Sequence, residues 1–70
     1  MTSRPDNERR ARAVGLTEGQ VCLLRQARDD REAGRPLSVD PVALAFALGH
    51  PGARLYDESF VRQERARART

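Results

Sequence analysis

Between Asp40-Pro41 and Gly49 stand seven consecutive apolar residues, Val42 to Leu48, and this run constrains the chain more than any other. Asp40 suits an N-cap, where its carboxylate accepts an orphan backbone N–H. Pro41 suits the first helical position, and Gly49 is a natural stop. A helix that is apolar on every side has to be surrounded, by the rest of the chain or by another molecule. Two turns cannot cross a bilayer, which takes about 20 apolar residues. The remaining sequence is therefore expected to be arranged around this helix.

At 70 residues, 39% of them hydrophobic, the chain makes one domain with a thin core. Domains of this size draw only a few kcal/mol from a single core, so self-association or partner binding is a reasonable supplement. The formal net charge is +3, which points toward an anionic partner. All 13 basic residues are arginine. The bland explanation is codon bias in a high-GC bacterial genome. The functional one is that guanidinium forks suit phosphate and carboxylate.

The single cysteine, Cys22, excludes an internal disulfide, and with the single histidine, His50, it makes no zinc site. No metal or other cofactor is expected. Neither lysine chemistry nor a glycine-rich phosphate cradle is present, so the chain is expected not to be an enzyme. Without a charged-then-apolar leader or a transmembrane run, the expected location is cytoplasmic.

In chain order, residues 1–15 read as a basic arm or a short helix, with Asp6 as cap and Gly15 as stop. Residues 16–61 read as one helical domain. Thr17-Glu18-Gly19-Gln20 fits a capping box, opening a helix that runs to Ala33 before Gly34. Leu23, Leu24 and Ala27 are expected on its inner face, with Cys22 beside them. Arg28 to Glu32 reads as a solvated end. His50 reads as a residue that caps the last carbonyls of the apolar helix. A last helix then follows from Ala53. On a wheel of 100° per residue it gathers Leu55, Tyr56, Ser59, Phe60, Gln63 and Ala66 on one side. Arg54, Glu58, Arg62, Arg65 and Arg69 fall on the other, and Val61 lies off the apolar face. Residues 62–70 form an Arg-rich helical tail. The expected fold is a small all-α bundle of three or four helices.

The spacing Leu44-Ala45, Leu48-Gly49 and Leu55 resembles the pattern of helix-turn-helix and winged-helix DNA-binding proteins. In that pattern a small residue lets the second helix approach, and a glycine four residues later makes the turn. Leu16-Thr17, Leu23-Leu24 and Leu37-Ser38 precede it in the familiar order, so the likeness covers residues 16–61. It implies a small dimeric transcriptional regulator whose reading helix is Ala53–Gln63. Arg54 and Arg62 would face DNA. Arg65 and Arg69, with Arg9, Arg10 and Arg12 from the other end, would grip phosphates. Val42, Phe46 and Val61 would form the contact with a second copy.

The charge distribution supports a different class as well. Residues 1–14 carry four arginines against Asp6 and Glu8, and residues 61–70 carry four against Glu64; the middle carries five against seven acids. The helix-turn-helix-like body is thus mildly acidic and the cations sit at the two ends, whereas a DNA reader concentrates them where it meets the duplex. The alternative is a non-enzymatic adaptor or inhibitor that docks a protein through the ridge of Val42, Phe46 and Val61. Small residues at the Ala45/Gly49 spacing also occur in plain helix packing.

Overall fold

The computed structural model describes residues 4–68. It is an all-α bundle of four helices: α1 (Arg4–Ala13), α2 (Glu18–Ala33), α3 (Pro41–Leu48) and α4 (Ala53–Ala68). No strand occurs among the described residues, and the Leu37–Val39 segment is irregular. α1 packs chiefly on α4, and α3 sits between α2 and α4.

The helix ends follow local chemistry. Thr17 and Gln20 form the expected capping box, the Thr17 hydroxyl accepting from the Gln20 N–H at 3.1 Å while the Gln20 amide oxygen accepts from the Thr17 N–H at 3.0 Å. Asp40 caps α3 by accepting the Ala43 N–H at 3.1 Å, with Pro41 in the first turn. Gly34 closes α2 in the left-handed region, at a φ of 71°, where a Cβ would cost energy.

The core is built from Leu24 and Val21 of α2, Leu44, Ala47 and Leu48 of α3, and Tyr56, Phe60 and Val61 of α4, with Ala11 and Leu16 closing it from the N-terminal side. Only one face of α3 is covered. Val42 and Phe46 remain 76% and 77% exposed. A helix of two turns that is apolar all round can turn one side to so small a body, and the other side stays in water.

Two expectations about α2 fail. Cys22 is exposed, not beside the core. Arg28 and Asp30, placed in a solvated end, are buried at 5% and 2% exposure. The inward stripe of Val21, Leu24 and Arg28, spaced three and four apart, leaves Cys22 outside and carries Arg28 in, whereas Asp30 lies off that stripe and is covered by Ser38 of the α2–α3 connection.

Asp30 is held by four donors. The Ser38 N–H and hydroxyl donate at 3.0 and 2.8 Å, the Gln26 amide at 3.1 Å and Arg35 Nε at 3.2 Å. These bonds tie the α2–α3 connection back onto α2. The Ser38 backbone N–H, then its hydroxyl, favour the ionised carboxylate and hold its pKa below the usual aspartate value. With the folded-state pKa depressed, the unfolded chain takes up this proton first as pH falls. The contribution to stability is therefore complete at neutral pH and is lost below about pH 4. Urea melts from pH 7 to 2.5 should show that loss, and Asp30→Asn should flatten it while lowering stability at pH 7. An unchanged acid slope in the variant would remove Asp30 from the account.

Candidate functional site

α4 is broken. Asp57 has φ −161° and ψ 96°, an extended conformation inside the helical run. Its Oδ1 accepts the Phe60 N–H at 3.0 Å, so Asp57 acts as an N-cap for the second part of α4. The break resets the helical phase. Before it Ala53 and Tyr56 face inward; after it Phe60, Val61 and Glu64 do. The single wheel expected for this helix therefore misplaces several residues. Val61 is 1% exposed and is core, so it cannot belong to a contact ridge. Leu55 is 40% exposed, and Ser59 and Gln63 face solvent.

The connection from α3 to α4 also differs from the expected turn. Gly49 lies in the ordinary right-handed region, φ −77°, ψ −11°, and Ala45 is exposed while Ala47 is buried. The glycine under steric constraint is Gly52. A Cβ there would stand 2.9 Å from Val14 Cγ2, 3.0 Å from the Ala11 carbonyl oxygen and 3.1 Å from His50 Nδ1. The close approach at the start of α4 is thus to the end of α1. His50 caps the end of α3 through its backbone, the N–H donating to the Ala47 carbonyl at 3.1 Å, and not through its ring. Its Nδ1 accepts the Gly52 N–H at 2.9 Å, and the Leu48 carbonyl is satisfied instead by Arg65, which donates at 2.7 Å.

Most of the candidate phosphate-gripping arginines are engaged within the chain. Arg9 stands 3.8 Å from Asp6. Arg12 donates to Glu8 at 3.4 Å and to Glu18 at 3.2 Å. Arg62 pairs with Glu58 at 3.1 Å, and Arg65 is held on Leu48. Arg69 lies outside the described residues. Arg10 and Arg54 pair with no acid among the described residues, and both border one cleft of about 350 Å³. The pairs at the surface are weak, typically about 0–1 kcal/mol, and can open. Still, they leave no continuous cationic stripe among the described residues.

A buried polar cluster was not legible in the sequence. Arg28 lies over the Tyr56 ring, 4.8 Å from its centroid, and its Nη1 is 3.5 Å from Asp57 Oδ2. Its Nε and the Tyr56 hydroxyl are both buried with no hydrogen-bond partner. Burial pushes the Tyr56 pKa up, against a smaller opposing effect of the Arg28 charge. Beside it, Glu64 receives Arg31 at 2.9 and 3.1 Å and pairs with Arg67 at 3.3 Å. The spacing Val21, Leu24, Arg28, Arg31 was the available signal, since it carries the inner stripe of α2 into its basic end.

The other prominent surface is the outer side of α3. Phe46 stands between two hollows. One, of about 480 Å³, is bordered by Leu23, Val42 and Ala43, with Asp40 and Gln20 also lining it. The second, of about 470 Å³, is bordered by Ala45, His50 and Pro51. α3 carries no charged side chain.

Set against known proteins, the chain matches no family model, no curated protein and no solved structure. Its own geometry therefore carries the functional reading. Among the described residues no three His, Cys, Asp or Glu side chains stand close enough to hold a metal ion, and no helix is long and apolar enough to cross a membrane.

Proposed function

We propose that the chain is a non-enzymatic helical module that docks a protein partner through the outer face of α3. The observation that carries this reading is the exposure of Phe46, at 77%, with an apolar hollow on each side. An exposed aromatic anchor on a helix without charged side chains is what a docking helix or loop can bury, and such anchors dominate interface energies. Val42 lies one turn away and extends the same ridge. Val61, buried in the core, has no part in it.

Phe46→Asp should leave the fold intact, because exposed substitutions usually change stability by no more than about 0.5 kcal/mol. The same change should abolish docking. A photo-reactive phenylalanine analogue at position 46 should yield one discrete adduct in the producing cells, lost when Val42→Asp is added, while the analogue at exposed Gln63 yields none. Sedimentation of the purified chain distinguishes a second copy from another protein. Absence of any adduct at position 46, or unfolding of Phe46→Asp, would end this reading.

DNA binding is the second reading, and the observation favouring it is that Arg10 and Arg54 border one cleft without acid partners. Phosphate contacts are strongest at low ionic strength. A mobility-shift titration there with no retarded band would eliminate it.

A further inference from the structure

Arg28 is unusual among the arginines of this chain. Its side chain is only 6% exposed, yet its one ion pair among the described residues is a long one, 3.5 Å from Asp57, and its Nε has no acceptor there. An unmet donor in the interior destabilises the fold, more so when the group is charged. Two clefts, of about 330 and 350 Å³, meet at Arg28 and Asp57, which border both.

The second cleft brings together Arg10 from α1, Arg28 from α2 and Arg54 from the first turn of α4, with Asn7 and Leu55 beside them. Its acids are already engaged. Asp57 accepts the Phe60 N–H with Oδ1 and faces Arg28 with Oδ2, and Glu58 is paired with Arg62 at 3.1 Å. Three guanidinium groups against two occupied carboxylates leave an uncompensated positive charge. Three separate helices supply it, which is more than a run of surface arginines provides. The α3 face is not involved.

The geometry points to an oxyanion site in this cleft, for a phosphate or carboxylate group on a small molecule. Arg10 and Arg54 would hold it by charge-assisted hydrogen bonds, and Arg28 would meet it from the floor. The guanidinium fork is suited to both groups. A small tilt of Arg28 would turn its Nε edge toward the anion and give that donor the acceptor it lacks. Asn7 offers an amide donor at the rim, and Leu55 an apolar surface for whatever carries the anion.

The test uses the full chain labelled with nitrogen-15, following the arginine Nε–Hε resonances. Inorganic phosphate and acetate are titrated separately at constant ionic strength against a sodium chloride baseline. Saturable shifts of Arg28 and Arg54 that chloride does not produce are expected. Saturation by phosphate alone assigns a phosphate source, and saturation by acetate alone a carboxylate source; either supports the site. Arg54→Gln and Arg10→Gln, both at exposed positions, should each weaken binding about tenfold without moving the thermal midpoint. Linear shifts shared by Arg62 would overturn the proposal, as would saturation unaffected by both substitutions. Tighter binding of a short DNA duplex, reduced equally by Arg9→Gln and Arg12→Gln, would also overturn it, because the cleft would then be part of a general phosphate-backbone surface.

Discussion

Tyr56→Ala is expected to abolish cooperative folding or to lower the melting temperature by more than about 12 °C. Tyr56 is 1% exposed and the largest of the fully buried side chains. Truncating a buried aromatic costs about 3–5 kcal/mol. That is comparable to the whole stability that one core supplies at this size, about 3–5 kcal/mol. In a 60–100-residue domain each kcal/mol moves the midpoint by about 4–8 °C. Two further losses fall on the same substitution. The ring beneath Arg28 disappears, so a nearly enclosed guanidinium loses its face contact, and the first turn of α4 loses its anchor just before the break at Asp57. Tyr56→Phe separates packing from the hydroxyl. The hydroxyl is buried without a partner, so its removal should be neutral or stabilising by about 1 kcal/mol. Far-UV circular dichroism melts of the two variants decide the matter. If Tyr56→Phe proved as damaging as Tyr56→Ala, the hydroxyl would have a partner and the account of this cluster would be wrong.

The parts of the fold that could be read from the sequence are those set by neighbours along the chain. Thr17 with Gln20, Asp40 with Pro41, and Gly34 act within one turn, so their residue types announce them. The exposure of Val42 and Phe46 was legible for a related reason. A short helix with eight apolar or near-apolar positions cannot cover all of them with a chain this small. The sites that escaped depend on what lies across the bundle. Arg28 is enclosed only because Tyr56 and Asp57 arrive from α4, and Asp30 only because Ser38 folds back onto it. Val61 was misplaced because an unbroken wheel was drawn through Asp57. Asp-Glu-Ser-Phe at 57–60 is a serviceable N-terminal sequence, and reading Asp57 as a cap would have turned Phe60, Val61 and Glu64 inward. Arginines were overcounted as free cations for the converse reason, since Glu8, Glu58 and Glu64 meet them in the folded chain.

Gly52→Ala should cost about 1–3 kcal/mol, whereas Gly49→Ala should be nearly silent. The helix-turn-helix spacing assigns the opposite order, with Gly49 as the residue that cannot bear a side chain. At Gly49 the backbone already occupies a region open to every residue. An added Cβ would meet the Phe46 and Ala45 carbonyl oxygens at 3.5 and 3.7 Å, ordinary contact distances. Alanine there also restricts the unfolded chain, which can return about 0.4–1 kcal/mol. At Gly52 the same methyl would meet three groups at once. Val14 is half exposed and can rotate away, but the Ala11 carbonyl at 3.0 Å belongs to backbone. His50 Nδ1, at 3.1 Å, is held by the N–H of Gly52 itself. Relief therefore requires α1 to lift from α4 or the His50–Gly52 turn to open. Either movement loosens the seat of α1, whose Ala11 is fully buried. Thermal melts of the two variants, with amide exchange read on α1, should show a lowered midpoint and loss of protection in α1 for Gly52→Ala alone. A Gly49→Ala variant that melted lower than Gly52→Ala would restore the turn expected from the spacing and place the constraint between α3 and α4, not between α1 and α4.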